Sequence, residues 1–478
     1  MSEHHQRRLS SLEASFLYRE QPCQPMHIGG CGVYEGEVSR QTLVRLLEER
    51  LHLLPRYRQK VVAAPFGIVH PSWQDDPQFD LSHHIEEHTL PEPGDDRVLS
   101  RVGGRIFAEP LDRSHPLWKL SLIRGRHDGN TAILAKVHYA MVEGVTGTAL
   151  TSVLHDLRPD APPPPPPSGA WTAEPGPDFL GRLQNALRDT IATTATLSVD
   201  QAQRIWSSWQ ASSDSQSQLG AATELLSPLL RPVSQLPFNG CLSGARQFAW
   251  TELAFPEIRA IRSALGGSVN DVVLTIISGG LGSYLRAKGY ALDSLEVRLA
   301  YPVTLRRHAG GNGAADETQA PRVSTMLVPL YPGIADPVRR FTAEHRALEE
   351  LKTQRQAQTL AEFQSLGRLL PPALQALSQQ LGLPVANTVS LNVPGPQIPL
   401  YLAGHKRLAL YPIGPLSANI GLFHIASSYN HRLTIGVTVD PQLMPDVWHY
   451  TDCLRGAFQE LRDAADRSPS AKTARHVA

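Results

Sequence analysis

The sequence predicts an α/β protein of two lobes, on three observations. Residues 131–137 form a compact apolar run of strand character, and residues 145–157 then place Val145, Ala149, Leu150, Val153, Leu154 and Leu157 at helical spacing, which makes a strand, a tight turn and a helix. Six consecutive prolines follow at 162–167. Such a run can join neither a packed helix nor a central strand, so it is a linker. From about Arg246 a second series of apolar segments begins.

Residues 10–20 predict a short opening helix with Leu12, Phe16 and Leu17 inward and Ser10 or Ser11 as its cap. Residues 41–54 put Leu43, Val44, Leu46, Leu47, Leu51 and Leu54 mostly on one helical face. Residues 171–245 read as a helical connector. Its stripe of Phe179, Leu180, Leu183, Leu187 and Ile191 suits a lipid-facing helix or one packed between domains. The few basic residues on its polar face favour packing. In the second lobe an apolar run, 270–277, follows Gly266-Gly267-Ser268. Residues 295–303 and 322–330 read as strands, 341–360 as a helix and 434–439 as a late strand. The expected divisions are a first domain over 1–160, a linker and connector over 161–245, a second domain over 246–463 and a disordered tail over 464–478.

Hydrophobic residues make up 41% and charged residues 19% of the chain, a globular and not a disordered composition. The 45 basic residues balance 45 acidic ones, so the basic excess of a nucleic-acid-binding protein is missing and no such partner is expected. Cys23, Cys31, Cys241 and Cys453 lack metal-ligand spacing and read as free thiols of a reducing compartment. The polar opening residues lead into no signal-peptide pattern, and the best apolar run, 272–285, is broken by Ser and Gly. Cytoplasmic residence is expected, with peripheral membrane contact left open. Serine-hydrolase elbows and phosphate-binding loops have no match. His83, His84 and His88 lack the zinc-protease Glu and are expected on a solvated segment, so no metal is expected.

His138 and Tyr139 end the first-lobe strand, and a carboxylate, Glu143, and a glycine, Gly144, follow. A strand end holds a base rigidly, a carboxylate can tie the turn, and glycine permits the reversal. Alone, this pattern does not outweigh ordinary strand-end residues. The segment nevertheless resembles the His-His-x-x-x-Asp-Gly signature of coenzyme-A-dependent acyltransferases, and it does not stand alone. Four blocks in order resemble the bacterial wax ester synthase/acyl-CoA:diacylglycerol acyltransferase family over nearly the whole chain. They are Ser11-Leu12-Glu13-Ala14-Ser15-Phe16-Leu17; Pro116-Leu117-Trp118 with Ile123 and Gly125; Asn270-Asp271-Val272-Val273-Leu274; and Asn392-Val393-Pro394-Gly395-Pro396 with Pro399-Leu400-Tyr401, Tyr411-Pro412 and Gly414-Pro415.

The resemblance implies two chloramphenicol-acetyltransferase-like α/β domains with an active-site tunnel between them. It implies transfer of a fatty acyl group from acyl-CoA, a substrate and not a cofactor, to diacylglycerol or a long-chain alcohol at a membrane or lipid-inclusion surface, without a metal. His138 would be the supporting His, Tyr139 would occupy the base position, and Glu143 and Gly144 would match the Asp-Gly. Pro116, Leu117, Trp118, Asn270 and Asp271 would belong to substrate-binding blocks, although Trp118 on an apolar strand is by default core and Asn270 a cap or turn residue.

A phenol with a pKa near about 10 is a poor base, and losing general-base help typically costs about 10²- to 10⁴-fold. Adjacent side chains in extended backbone point to opposite faces, so His138 should face away from whatever Tyr139 faces. Three readings stay open. One is an acyltransferase of reduced or altered activity, with His138, a Tyr139 of lowered pKa or water as base. Another is a non-catalytic acyl-CoA- or lipid-binding relative that keeps the tunnel. The third, a condensation-type domain, is disfavoured by the lack of a carrier or adenylation region and by the C-terminal block.

Overall fold

The computed structural model describes residues 8–142, 149–167, 169, 171–197, 233–305, 322–353 and 386–467. Helix α1 (Ser11–Arg19) begins at a reciprocal cap in which Ser10 Oγ accepts the Glu13 amide and the Glu13 carboxylate accepts the Ser10 amide. Then come β1 (His27–Tyr34), α2 (Arg40–Arg50), the hairpin strands β2 (Gln59–Val62) and β3 (Ser72–Asp75), β4 (Ile85–Thr89), α3 (Asp96–Ala108), β5 (Trp118–Arg124), β6 (Thr131–His138) and the short α4 (Ala149–Leu154). Beyond the prolines lies α5 (Phe179–Leu197). The second half holds β7 (Gln247–Ala254), α6 (Phe255–Leu265), α7 (Val269–Ala287), β8 (Val297–Leu305), β9 (Arg322–Leu330), α8 (Pro337–Thr353), β10 (Thr388–Val393), β11 (Tyr401–Leu402), β12 (His405–Ile413), β13 (Leu422–Tyr429), β14 (Arg432–Val439) and α9 (Val447–Arg467).

Two six-stranded sheets result, ordered β11-β12-β1-β6-β5-β4 and β7-β14-β13-β10-β8-β9. The halves are stitched together. Strands β11 and β12 fall inside the expected second domain by sequence, yet β12 pairs antiparallel with β1 from Gly29↔Ile413 to Tyr34↔Arg407. In return, Phe248 and Trp250 of β7 join α3 and Tyr411 in one core cluster.

The apolar run at 270–277 is the N-terminal half of a buried helix, α7. Glycines let α9 approach it closely, since a Cβ on Gly280 would sit 2.6 Å from Leu454 Cδ2. No single helix among the described residues is long and apolar enough to cross a membrane.

Three expectations need correction. His84 is buried, not solvated: its ring stacks on Trp118 at 4.3 Å and its Nδ1 donates to the Trp118 carbonyl. The α5 stripe is not packed away, because Phe179, Leu180 and Leu187 are exposed and Phe179 meets Phe66, itself 82% exposed, edge to face. Residues 464–467 complete α9 and are not part of a tail; 468–478 lie outside the described residues.

Candidate active site

Strand β6 delivers His138 and Tyr139 to the end of the first sheet. The His138 amide donates to the Leu117 carbonyl at 2.9 Å and the Tyr139 amide to the Met26 carbonyl at 2.8 Å. A 3₁₀ turn, Tyr139–Met141, follows, and His138 caps it by accepting the Ala140 amide on Nδ1 at 3.0 Å. An accepting ring nitrogen carries no proton, so the ring proton sits on Nε2. That atom faces Glu20 Oε1 at 3.5 Å, long for a hydrogen bond.

Glu20, half-buried, centres a polar cluster that the sequence reading did not identify, with His27 and His138 buried on its inner side and Arg113 exposed on its outer side. His27 pairs across the sheet with His138. Its Nδ1 lies 3.3 Å from the Phe107 carbonyl, which can only accept, and its Nε2 lies 3.7 Å from Glu20 Oε1. Met26 donates its amide to Glu20, and Arg113 donates both to Glu20 and to the Leu17 carbonyl. Burial alone would raise the Glu20 carboxyl, but His138, Arg113 and the Met26 amide outweigh it and hold it at about 2. Burial, reinforced by Lys136 and His138, pushes His27 down to about 3 against the pull of Glu20. At neutral pH the cluster is therefore a carboxylate clamped to an arginine beside a neutral His27, and it fixes the turn. Replacing His138 by Ala removes the cap and one face of this cluster. A loss of about 1–3 kcal/mol is expected, read as a lowered thermal midpoint by circular dichroism; an unchanged midpoint would show that the cap does not hold the turn.

Tyr139 turns the other way. Its ring lies 4.4 Å from Phe16 and packs on the cluster of Ile28, Leu391, Leu416, Phe423 and Ile425, where the two halves meet. Burial pushes the phenol up to about 12. Only about one molecule in 10⁵ would then be phenolate at pH 7. His138 has its lone pair on the Ala140 amide, so neither residue is poised to take a proton. Glu143 and Gly144 lie outside the described residues.

A cavity of about 870 Å³ begins beside this turn, lined there by Val137, Met141, Val142 and Ile28. Gly29, Gly30 and Gly32 of β1 line it further along, and the second half contributes Val393 to Pro396, Ile425, Ser427 and Ser428. It thus lies between the two halves of the chain. Its walls are mostly apolar, with Tyr34, His155 and Arg407 among the polar exceptions.

Residues 9–273 match the wax ester synthase/diacylglycerol acyltransferase catalytic domain, and residues 321–462 match the C-terminal domain of the same family. The chain belongs to this family. A Mycobacterium tuberculosis protein named as a diacylglycerol O-acyltransferase is 30% identical over 97% of this chain and 91% of its own length. A second protein of that organism bearing the same activity in its name is 26% identical, over 95% of each. The wax ester synthase/diacylglycerol acyltransferase from Marinobacter aquaeolei VT8 shares the fold, with a TM-score of 0.66 at 24% identity over 96% of this chain and all of that one. The first condensation domain of the CDA synthetase does so more distantly, at a TM-score of 0.55 and 14% identity, over 98% of each chain.

As a wax ester synthase/diacylglycerol acyltransferase relative, the chain is an acyl-CoA-dependent O-acyltransferase by descent. The other expected site residues do not gather at the cavity. Pro116, Leu117 and Trp118 are buried and none lines it; Trp118 donates its indole N–H to the Tyr57 carbonyl, and Leu117 holds the His138 amide. Asp271 is the reciprocal cap of α7, accepting from the Ser268 amide and hydroxyl, and Asn270 is half-buried in the same first turn. The residues missed by sequence reasoning are Glu20, His27, Arg113 and the glycines of β1. Three glycines within an apolar strand were the one available signal, since they mark a place of close backbone approach or a ligand.

Proposed function

We propose that this protein transfers a long-chain acyl group from acyl-CoA to a long-chain alcohol or diacylglycerol at the Tyr139–Met141 turn, slowly, because neither His138 nor Tyr139 serves as general base. The acceptor oxygen attacks the thioester carbonyl, the carbon–sulfur bond breaks, and the hydroxyl proton passes through water to the departing thiolate. Acyl-CoA is a substrate, and the reaction as proposed draws on no resident cofactor or metal. The observation that carries the reading is the pairing of a phenol held at about 12 with a neighbouring histidine whose lone pair caps the turn.

The test is coenzyme A release from palmitoyl-CoA by the purified chain, with hexadecanol or dioleoylglycerol as acceptor and the ester identified. Slow, acceptor-dependent release is expected. Binding of palmitoyl-CoA with no ester formed would favour the second reading, a lipid-binding relative that has lost transfer, which the same two residues support. Tyr139→Phe is expected to leave the rate within about two-fold, since the phenol is not the base; a loss of ten-fold or more would show that it acts in the reaction.

The proposed setting is the surface of a membrane or lipid inclusion, reached from the cytoplasm. Exposed Phe66, Phe179, Leu180 and Leu187 support this, as do four free cysteines. Flotation with phosphatidylcholine vesicles measures it. Phe66→Ser with Leu180→Ser is expected to reduce co-flotation, and unaltered flotation would place the contact elsewhere.

A further inference from the structure

Arg407 is a buried charge without a counter-charge among the described residues. Its side chain is only 2% exposed, yet it lines the cavity. Its guanidinium lies 3.9 Å over the Tyr429 ring, and its Nε meets no hydrogen-bond partner among the described residues. No carboxylate pairs with it there. A ring face offsets only part of the cost of taking a guanidinium out of water, so an unpaired one is expected to receive an anion from outside the chain.

The neighbours narrow that anion. Arg50 is already taken by Asp156 at 2.7 Å. Arg56, the other arginine of the lining, stacks on Trp73 and is engaged elsewhere. His155 Nδ1 donates to the Thr151 carbonyl, which leaves Nε2 to accept the Tyr34 hydroxyl proton at 2.8 Å. Burial first, then the Arg407 charge, lower His155 to about 3, so this pair adds no second cation. One unpaired guanidinium matches a monoanion of planar, two-oxygen geometry: a carboxylate.

The cavity supplies the rest of the ligand. Arg407 pairs in register with Tyr34 at one end of β1, while Ile28, at the other end, packs with Val142. Six strand steps separate the ends, about 20 Å at the usual rise. Along that path Gly29, Gly30 and Gly32 present no side chain.

We propose that this cavity is a free fatty-acid site, with a long-chain carboxylate bound through its two oxygens to Arg407 and its chain lying along the β1 glycines toward the Tyr139–Met141 turn. The site stands apart from the transfer reading, because occupancy needs no turnover.

Equilibrium dialysis of the full chain at pH 7.4 tests it with palmitate, methyl palmitate, hexadecyl phosphate and acetate. Palmitate is expected to bind at least about ten-fold more tightly than methyl palmitate, which shares its chain but not its charge, and acetate to bind negligibly. Arg407→Met is expected to abolish that preference while keeping methyl palmitate affinity within about two-fold, which also reports an intact fold. Arg407→Lys, which keeps charge without the two-pronged geometry, is expected to fall between, and it decides the matter where the Met variant does not fold. Equal binding of palmitate and methyl palmitate by the unaltered chain overturns the proposal. So does a preference that survives Arg407→Met. Tighter binding of hexadecyl phosphate than of palmitate overturns the carboxylate and assigns a phosphate head.

Discussion

Tyr139→His is expected to raise acceptor-dependent acyl transfer by about 10²- to 10⁴-fold, the range a positioned general base contributes. The position is prepared for an imidazole. The backbone is fixed by the Met26 carbonyl on one side and the His138 cap on the other. The surroundings of Phe16, Ile28, Leu391 and Phe423 are apolar and would keep the ring neutral. A neutral imidazole at pH 7 is what abstraction of a hydroxyl proton needs. The gain should fall on kcat more than on KM, because residue 139 does not line the cavity and its replacement leaves that lining unchanged. The two proteins should also differ in pH profile. The variant should lose rate as the new imidazole protonates, whereas the unaltered chain should show no limb from residue 139 near neutrality, its phenol being held at about 12. A folded variant that binds palmitoyl-CoA but is no faster would mean that the absent base does not limit this protein. The fault would then lie in positioning of the acceptor or in the segment that carries Glu143.

The parts of this site that sequence could reveal are the local ones. Ser10 or Ser11 before an apolar helical pattern announced the start of α1, and residues 131–137 announced β6, because a cap and an apolar run act through neighbours in the chain. Alternation in extended backbone also predicts the opposite aims of His138 and Tyr139, and the two rings do part, one to Glu20 and the other to Phe16. What could not be read is what depends on distant partners. Glu20, His27, Arg113 and His138 come from four separate segments, and no spacing rule brings them together. The passage of β11 and β12 into the first sheet is equally invisible, since residues 401–413 carry an ordinary strand pattern that does not name the strand they join. His84 shows the same limit. In sequence it stands beside His83 and two glutamates, and it is the Trp118 ring, 34 residues on, together with Phe79 that makes it part of the core. The 270–277 run was ambiguous for a different reason: a fully buried helix and a buried strand are both continuously apolar, and 19 residues of helix around it resolve the matter only in three dimensions.

Acid should unfold this protein cooperatively between about pH 5 and pH 4, well above the range in which its carboxylates alone would act. Burial lowers His27 and His155 to about 3 and His84 and His424 to about 4. In the unfolded chain each returns to an ordinary value of about 6.5. A group whose folded pKa is lowered stabilises the fold above its unfolded pKa, and that stability drains away as pH falls toward the folded value. Here the window runs from about 6.5 down to 3 or 4. Glu344 works the other way. Burial raises it to about 7, so it favours the fold as pH falls from about 7 toward its unfolded value, and it offsets one of the four histidines. At pH 5 unfolding should therefore take up about three protons, a slope on the order of 4 kcal/mol per pH unit. Between pH 7 and 4 the loss is on the order of 10 kcal/mol, as large as the whole stability of an ordinary domain. Near-ultraviolet circular dichroism against pH gives the midpoint, and unfolding in unbuffered denaturant at pH 5 gives the proton count. A midpoint below pH 3, or an uptake near zero, would mean that these histidines accept protons without leaving the fold, and that their burial is less complete than the packing of Trp118, Tyr450 and Phe107 around them implies.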